Sequence, residues 1–162
     1  MIELFRSLPR ITLDEKVDYL IDTCFLIYTF ENHKEKKLKK LMKKKKFAIT
    51  SFNVEEYLFI HNHVHNDINI AIRKFLKKNK IPILTVPVHP GNMKMERSFA
   101  KSTIPELNTN EHDPSDAVIL AAAIHVGADV LTRDKHDMFN ARMENFLHLY
   151  EVKVFNRFAD IS

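Results

Sequence analysis

Short apolar segments that alternate with helix-like stretches are the feature that most limits how this chain can fold. The strand-like segments are DYLI (18–21), FAIT (47–50), ILTV (83–86), DVLT (129–132) and VKVF (152–155). The first four show no clear polar–apolar alternation, which is typical of parallel strands buried on both faces. Because strands and helices follow one another in turn, the sequence predicts an α/β fold with a mostly parallel sheet.

Helix signals occupy the intervals between these strands. Four predicted helices are a helix from Thr23, one over 34–45, one from the N-cap-like Ser51 and one over 66–79. A further helix begins with Pro114 and ends before Gly127, residue types that favour the first helical position and the C′ position. Gly91 is the only other glycine, so a glycine-rich phosphate loop is excluded.

The composition is typical of a soluble globular protein, with 162 residues that are 45% hydrophobic and 28% charged. The longest apolar run, AVILAAAI (117–124), is far shorter than the roughly 20 residues of a membrane span, and nothing at the start resembles a signal peptide. The single cysteine, Cys24, excludes an internal disulfide and suggests a reducing compartment. We therefore expect a cytoplasmic protein of one domain (1–162), with an N-terminal lead (1–16), a core over about 17–155 and no membrane association.

The formal net charge of +4 conceals a concentrated basic segment. The lysine run KEKKLKKLMKKKK (34–46) holds nine of the 25 basic residues and one of the 21 acidic ones, so it carries +8 and the remainder carries −4. Leu38, Leu41 and Met42 give the run an apolar stripe at helical spacing, which is typical of a solvated helix face. A surface that follows the phosphates of a nucleic acid is the alternative, and the sequence leaves both open.

Carboxylates directly follow two of the predicted strands, Asp22 after the first and Asp134 after the fourth. A buried unpaired charge is strongly destabilising, so an acid in such a position normally has a partner or a function. In a parallel sheet the carboxyl ends of the strands form the edge where ligands bind. The helix that begins at Ser51 would bring Glu55 or Glu56 to the same edge, because both lie one turn into it.

The helix that begins at Pro114 adds Asp113 and Asp116. Asp113 fits a plain N-cap, because Pro114 then occupies the first helical position. Asp116 lies on an apolar side of that helix, so solvation does not explain it and we expect it in a site. Asp22 has the same ambiguity as Asp113, since Asp is a favoured N-cap for the helix that follows it.

Four or more carboxylates at one edge of a sheet predict a bound divalent cation. Like charges at close range cannot all remain ionised without compensation. Mg²⁺ or Mn²⁺ takes oxygen ligands, and such ions support phosphoryl transfer by activating water and neutralising the leaving oxygen. A zinc site is a weaker alternative: His61 and His65 would share a helix face, but no cysteine or further ligand completes four-coordination.

The order LIDT, TSFNVEEYL and SDAVILAAAIHVGADVLTRD resembles the PIN-domain nucleases, which include the VapC-type toxins. The resemblance extends over roughly residues 17–155. It implies a three-layer α/β/α domain, for which we expect four or five strands. It also implies four acids that bind Mg²⁺ or Mn²⁺ and hydrolyse RNA.

The resemblance assigns each acid to a position. The catalytic and metal-binding set is Asp22, Glu56, Asp116 and Asp134, with Asp137 as a further metal ligand. Glu56 is preferred to Glu55 because bulky Tyr57 follows it and Asn53 lies three residues before it. Thr132 would be the supporting hydroxyl beside the last acid.

We therefore predict a divalent-metal-dependent endoribonuclease that hydrolyses RNA phosphodiester bonds, either a VapC-type toxin or an RNA-processing enzyme. The resemblance allows an antitoxin or regulatory protein as a partner and favours a homodimer. The alternative is a non-catalytic RNA-binding or assembly module that keeps the fold. A cluster of repulsive carboxylates argues against that alternative, because a module that only binds RNA gains nothing from it.

Overall fold

Six parallel strands form the central sheet within residues 2–111, 113–133 and 141–161, which are the residues that the computed structural model describes. The strands are β1 (Arg10–Ile11), β2 (Tyr19–Ile21), β3 (Phe47–Thr50), β4 (Ile83–Leu84), β5 (Asp129–Leu131) and β6 (Val154–Phe155). Each neighbouring pair in the sheet is parallel. This confirms the predicted α/β class.

The strand order β1-β4-β3-β2-β5-β6 reverses direction at β2. From β2 the chain continues to β3 and β4 on one side, and it later adds β5 and β6 on the other. In open parallel sheets, ligands bind beyond the carboxyl ends of the strands at such a reversal. The ends of β2 and β5, which Asp22 and Thr132 follow in the sequence, are therefore the expected place for a site.

Helices connect the strands on both faces of the sheet. They are α1 (Ile2–Ser7), α2 (Thr23–Glu31), α3 (Glu35–Met42), α4 (Ser51–Ile60), α5 (Asn66–Asn79), α6 (Met93–Thr103), α7 (Leu107–Asn110), α8 (Pro114–Val126) and α9 (Ala141–His148). His61–His63 and Phe158–Asp160 form short 3₁₀ turns. In the described part of the chain, no helix is long and apolar enough to cross a membrane.

The two faces of the sheet belong to two separate apolar clusters. Leu20 and Val130 lie in one cluster with the side chains of α8. Ile21 and Leu131, the next residues along the same strands, lie in the other with residues of α2, α3 and α5. Helices cover both faces, so successive residues at the centre of the sheet are apolar, and the fold has the predicted three layers.

The strand beyond the predicted four or five is β1, in the N-terminal lead. β1 is only two residues long and forms the edge of the sheet beside β4. The lead also contributes Leu4, Phe5 and Leu8 to the core, each at most 5% exposed. Two residues carry no periodicity, so hydrophobic patterning could not have indicated this strand.

Helix α8 begins and ends where the sequence predicts. The Asp113 side chain is the N-cap and accepts a hydrogen bond from the N–H of Ser115, while Pro114 is the first helical residue. Gly127 ends the helix in the left-handed conformation, with φ 66° and ψ 33°. This left-handed geometry favours glycine, because a Cβ atom would crowd the following carbonyl oxygen.

Two other helix boundaries differ from the predictions. Thr50, rather than Ser51, is the N-cap of α4, and its side chain accepts a hydrogen bond from the N–H of Asn53. Ser51 instead accepts a hydrogen bond from the N–H of Val86 at 3.0 Å, which ties α4 to the segment that follows β4. Helix α3 ends at Met42, because the lysines that follow form the turn into β3.

Candidate active site

Asp22 ends the central strand and is both a helix cap and part of a buried hydrogen-bond network. Its side chain is the N-cap of α2, where Oδ1 accepts a hydrogen bond from the N–H of Thr23 at 2.7 Å. Oδ1 also accepts from Asn53 Nδ2 at 3.0 Å, and Oδ2 accepts from Thr132 Oγ1 at 2.7 Å. Hydrogen bonds to the charged form stabilise a carboxylate that is only 8% exposed. Asp22 can therefore be the N-cap of α2 and a site carboxylate at the same time.

Asn53 joins Asp22 to Glu56 across the gap between α2 and α4. The Thr50 hydroxyl donates to Asn53 Oδ1 at 2.7 Å, which fixes the amide with its NH₂ group towards the acids. That Nδ2 atom donates to Asp22 Oδ1 at 3.0 Å and to Glu56 Oε2 at 3.2 Å. Two carboxylates thus lie on either side of a single amide nitrogen.

The environment of Glu56 raises the pKa of its carboxyl from 4.5 to about 7. Desolvation is the largest cause, and the negative charge of Asp22 is the next. The hydrogen bond from Asn53 opposes the shift, whereas the charges of Asp113 and Glu96 add to it. Glu56 therefore lies in a field of carboxylates that local hydrogen bonds compensate only in part.

The neighbouring Glu55 has a different environment from Glu56. Its Oε1 lies 2.6 Å from Nδ1 of His89, on the loop between β4 and α6. Of the two candidates, Glu56 lies beside Asp22 and Glu55 does not.

Asp116 lies in the first turn of α8 and is 8% exposed. It lines a pocket of about 480 Å³ at the carboxyl edge of the sheet. We call this the acid pocket, and its lining residues are Asp22, Thr23, Cys24, Asn53, Glu56, Phe59, Ile60, Asp113, Ser115, Asp116, Ile119 and Arg133. The structure thus brings three of the predicted acids, Asp22, Glu56 and Asp116, to one pocket.

Asp134 and Asp137, the other two predicted acids, lie outside the described residues. Thr132 and Arg133 are the last described residues before them. Thr132 is fully buried, and its hydroxyl donates a hydrogen bond to Asp22 at 2.7 Å.

Glu96 is a buried acid near the pocket that the sequence analysis overlooked. It lies on α6, is 2% exposed, and its Oε1 accepts a hydrogen bond from Ser115 Oγ at 3.1 Å. Glu96 shares the buried side of α6 with Phe99 and Ala100, three and four residues further on. A charge on an apolar helix side was the signal that indicated Asp116, and the same signal would have found Glu96.

Cys24 also belongs to the hydrogen-bond network around Asp22. Its Sγ donates to Asp22 Oδ2 at 3.2 Å and accepts from the N–H of Arg133 at 3.2 Å. Burial, followed by the charge of Asp22, raises the pKa of the thiol to about 12. The thiol is therefore protonated at neutral pH, which argues against Cys24 as a nucleophile.

Histidines 61 and 65 do not form the helix face on which a zinc site would depend. Helix α4 ends at Ile60, and His61 lies in the 3₁₀ turn that follows. His65 is the N-cap of α5 and lies 3.7 Å from a carboxylate oxygen of Asp67. The zinc alternative therefore lacks its geometric basis.

The lysine run extends away from the acid pocket. Lys43–Lys46 lead into the amino end of β3, whereas the pocket lies at the carboxyl edge of the sheet. Lys46 forms a salt bridge with Glu15 at 3.7 Å. Leu38 is fully buried, so α3 is an amphipathic helix with an exposed lysine face. The first lysine of the run, Lys34, instead contacts the ring of Tyr28.

The chemistry of the acid pocket fits a hard divalent cation in donor type. The described acids of its lining, Asp22, Glu56, Asp113 and Asp116, offer carboxylate oxygens. The raised pKa of Glu56 reflects burial first and then neighbouring negative charge, which a cation would neutralise. Within residues 2–111, 113–133 and 141–161, no group of three or more His, Cys, Asp or Glu side chains is arranged so that it could hold a metal ion. The described acids therefore supply suitable donors but not a complete set of ligands.

The chain is an α/β/α domain with an acidic pocket at the reversal point of its parallel sheet, the edge at which open parallel sheets bind ligands. The family model described as PIN domain matches residues 19–142, most of the chain. The chain therefore belongs to the PIN domain family, as the motif order indicated, and members of this family are generally nucleases.

Solved structures with a similar fold include VapBC complexes. VapBC2 from Rickettsia felis, bound to a DNA fragment from its promoter, aligns with a TM-score of 0.55 and 15% identity over 86% of this chain and 98% of that one. DNA-bound VapBC from Salmonella typhimurium aligns with a TM-score of 0.54 and 15% identity over 86% of this chain and 97% of that one. VapBC-1 from nontypeable Haemophilus influenzae aligns with a TM-score of 0.51 and 14% identity over 85% of this chain and 96% of that one. No curated protein matches the sequence significantly. At these identities the likeness establishes the fold.

Proposed function

We propose that this protein is a divalent-metal-dependent endoribonuclease whose catalytic acids are Asp22, Glu56, Asp116 and Asp134. The observation that carries the proposal is that Asp22, Glu56 and Asp116 line one pocket at the reversal point of the sheet. Membership of a family that consists largely of nucleases supports the reaction class.

The metal would be Mg²⁺ or Mn²⁺, held by the same four acids and by Asp137. Members of the family generally use divalent ions. When bound, such an ion would supply positive charge that stabilises the phosphorane-like transition state and the leaving oxygen.

The described side chains have separate tasks in this proposal. Asn53 and Thr132 hold the Asp22 carboxylate in place through its two oxygens, at 3.0 and 2.7 Å. Glu56 lines the acid pocket beside Asp22, and a carboxylate in that position can orient a water molecule and accept its proton. We assign to Glu56 the orientation of the attacking water and the acceptance of its proton.

Phe59 supports a single-stranded nucleic acid as the substrate. It lines the acid pocket and is 72% exposed. An exposed aromatic ring beside a site for phosphate chemistry offers a surface on which an unpaired base can stack.

A partner protein and self-association also belong to the proposal. The chain has the fold of proteins solved as VapBC complexes, so we propose an antitoxin-like partner and a homodimer. Expression of the chain alone would then arrest growth, and co-expression with a small protein encoded nearby would relieve the arrest. Growth that continues despite cleavage activity would favour a role in RNA processing.

The proposal is tested by cleavage of a mixed single-stranded RNA with Mg²⁺, with Mn²⁺ and with a chelator. We expect cleavage that depends on metal and falls on the order of a hundredfold or more in Asp116→Asn. The control is Asp67→Asn, which changes an exposed acid in the first turn of α5 and should leave cleavage unchanged.

Thermal unfolding gives a second measurement that does not depend on the choice of RNA. Metal at a hundred times its dissociation constant stabilises a folded protein by about 2.7 kcal/mol, or about 5–10 °C at this size. We expect that rise for the native chain with Mn²⁺ and a much smaller one for Asp116→Asn. No cleavage together with no rise would refute the nuclease assignment in favour of a non-catalytic RNA-binding or assembly module.

A further inference from the structure

Two cations meet on one aromatic ring at the border of the acid pocket. Arg133 lines the pocket, and its guanidinium carbon lies 4.1 Å from the centroid of the Tyr28 ring. Nζ of Lys34 lies 4.6 Å from the same centroid and donates a hydrogen bond to the Tyr28 hydroxyl. We call Tyr28, Lys34 and Arg133 the rim cluster.

The rim cluster is held in place from several directions. Nη1 of Arg133 donates to the carbonyl of Asn156 at 2.8 Å, just beyond β6. The N–H of Arg133 donates to Cys24, which is bonded in turn to Asp22. Cation–π contacts of this kind hold a charged group in position without neutralising it.

Neither cation of the rim cluster forms a salt bridge within the described part of the chain. Lys46 and Arg157 there form salt bridges, with Glu15 and Asp160, but neither Lys34 nor Arg133 does. The hydrogen bond from Lys34, opposed in part by burial, and the charges of Lys34 and Arg133 lower the pKa of the Tyr28 hydroxyl. The surroundings of this ring are therefore electropositive.

A substrate with many phosphates would be repelled by the acid pocket unless cations nearby compensate for that repulsion. The carboxylates of Asp22, Glu56 and Asp116 lie in the pocket, whereas most of the lysine run leads towards the opposite edge of the sheet. The rim cluster is the described positive site that shares a residue with the pocket lining. An arginine fork beside a lysine is well suited to bind a phosphate group.

We propose that Arg133, Lys34 and the Tyr28 hydroxyl form a subsite for a phosphate of a single-stranded RNA that flanks the scissile bond. The inference rests on the proposed nuclease function and deepens it, because it assigns the residues that position the substrate. Lys34 and Arg133 neutralise one backbone phosphate outside the acid pocket, and Tyr28 fixes both cations. The contact is to phosphate rather than to bases, so it supplies affinity and register without sequence preference.

The test is the binding of a fluorescent 12-nucleotide single-stranded RNA in the presence of a chelator, between 50 and 200 mM salt. We expect Lys34→Gln to weaken binding about tenfold, the effect of losing one charge-assisted contact. The slope of log affinity against log salt should fall by about 0.7, the value for one phosphate contact on a single strand. Lys34→Arg should restore both the affinity and the salt slope, because it returns the positive charge.

The matched control is Lys36→Gln, which removes the same charge two residues further along, in the first turn of α3. It should change affinity by less than about twofold, as a contribution of net charge alone predicts. Equal losses in Lys34→Gln and Lys36→Gln would overturn the subsite. A DNA strand of the same sequence should show the same loss, because phosphate contacts do not read the 2′-hydroxyl.

Cleavage kinetics separate a positioning role from a structural one. Lys34→Gln should raise KM about tenfold, leave kcat within about twofold and keep the Mn²⁺-dependent rise in melting temperature. Loss of that rise in the variant would mean a damaged pocket and would overturn the inference. If the native chain neither cleaves RNA nor responds to Mn²⁺, the nuclease proposal fails, and the salt slopes still decide whether the rim cluster binds RNA.

Discussion

Replacement of Glu56 by glutamine should stabilise the metal-free protein at neutral and alkaline pH. Desolvation and the neighbouring acids raise the pKa of Glu56 from 4.5 to about 7 in the folded state. A tenfold change in proton affinity corresponds to about 1.4 kcal/mol, so the ionised carboxylate destabilises the fold by on the order of 3 kcal/mol. Glutamine keeps the shape and the hydrogen bond to Asn53 but carries no charge.

The sign of the pH dependence follows from proton binding by Glu56 in the two states. Between pH 4.5 and about 7 the folded state binds more protons at Glu56 than the unfolded state does. The free energy of unfolding therefore decreases as pH rises through this window, and the full penalty is present above about pH 7. Glu56→Gln removes this contribution, so its advantage should be absent near pH 4.5 and maximal near pH 8.

Denaturant unfolding of the chelator-treated protein at several pH values between 4.5 and 9 measures the effect. We expect Glu56→Gln to exceed the native chain by 1–3 kcal/mol at pH 8, about 2–10 °C in melting temperature. Glu55→Gln is the matched control, because the neighbouring carboxylate contacts His89 rather than the acids. It should show no comparable gain.

Addition of Mn²⁺ should reverse the order of stability, since a cation neutralises the charge that the glutamine variant lacks. The free energy of unfolding of the native chain should then rise by more than that of Glu56→Gln. A Glu56→Gln variant that is less stable at pH 8, or a difference that does not change with pH, would refute the picture of Glu56 as a repelled carboxylate.

Two further predictions concern single contacts. Thr132→Val removes the hydroxyl that donates to Asp22 at 2.7 Å and should destabilise the fold by about 1–3 kcal/mol in denaturant unfolding; Thr132→Ser should retain most of the stability. Lys80 ends α5 in the left-handed conformation, with φ 47°, so Lys80→Gly should stabilise by about 0.5–1 kcal/mol. Lys77→Gly, inside the same helix, should instead destabilise the fold by about 1 kcal/mol. Stabilisation by both glycine substitutions would contradict the left-handed strain proposed for Lys80.

The candidate site was predictable to the extent that single residues contradicted their local pattern. Asp22 after a buried strand and Asp116 on an apolar helix side could not be explained by solvation, and both line the acid pocket. The choice of Glu56 over Glu55 came from motif likeness, and the geometry beside Asp22 agrees with it. Glu96 carried the same kind of signal as Asp116 and was overlooked.

Some of the structure left no trace in local patterns. Strand β1 is too short for any periodicity and exists because β4 offers a free edge beside it. The rim cluster joins Arg133 to Tyr28, residues far apart in the chain, through a contact that depends on the packing of α2 against the end of β5.

The sequence by itself determined the α/β class, the main helices and strands, and the delivery of acids to the ends of strands. These properties depend on hydrophobic periodicity and capping, which act over a few neighbouring residues. The tertiary structure alone decided which carboxylates share a pocket, how far the pKa of Glu56 rises and where the lysine run lies. Those properties depend on burial and on distances between residues that are remote in sequence, because desolvation and Coulomb energy act through space.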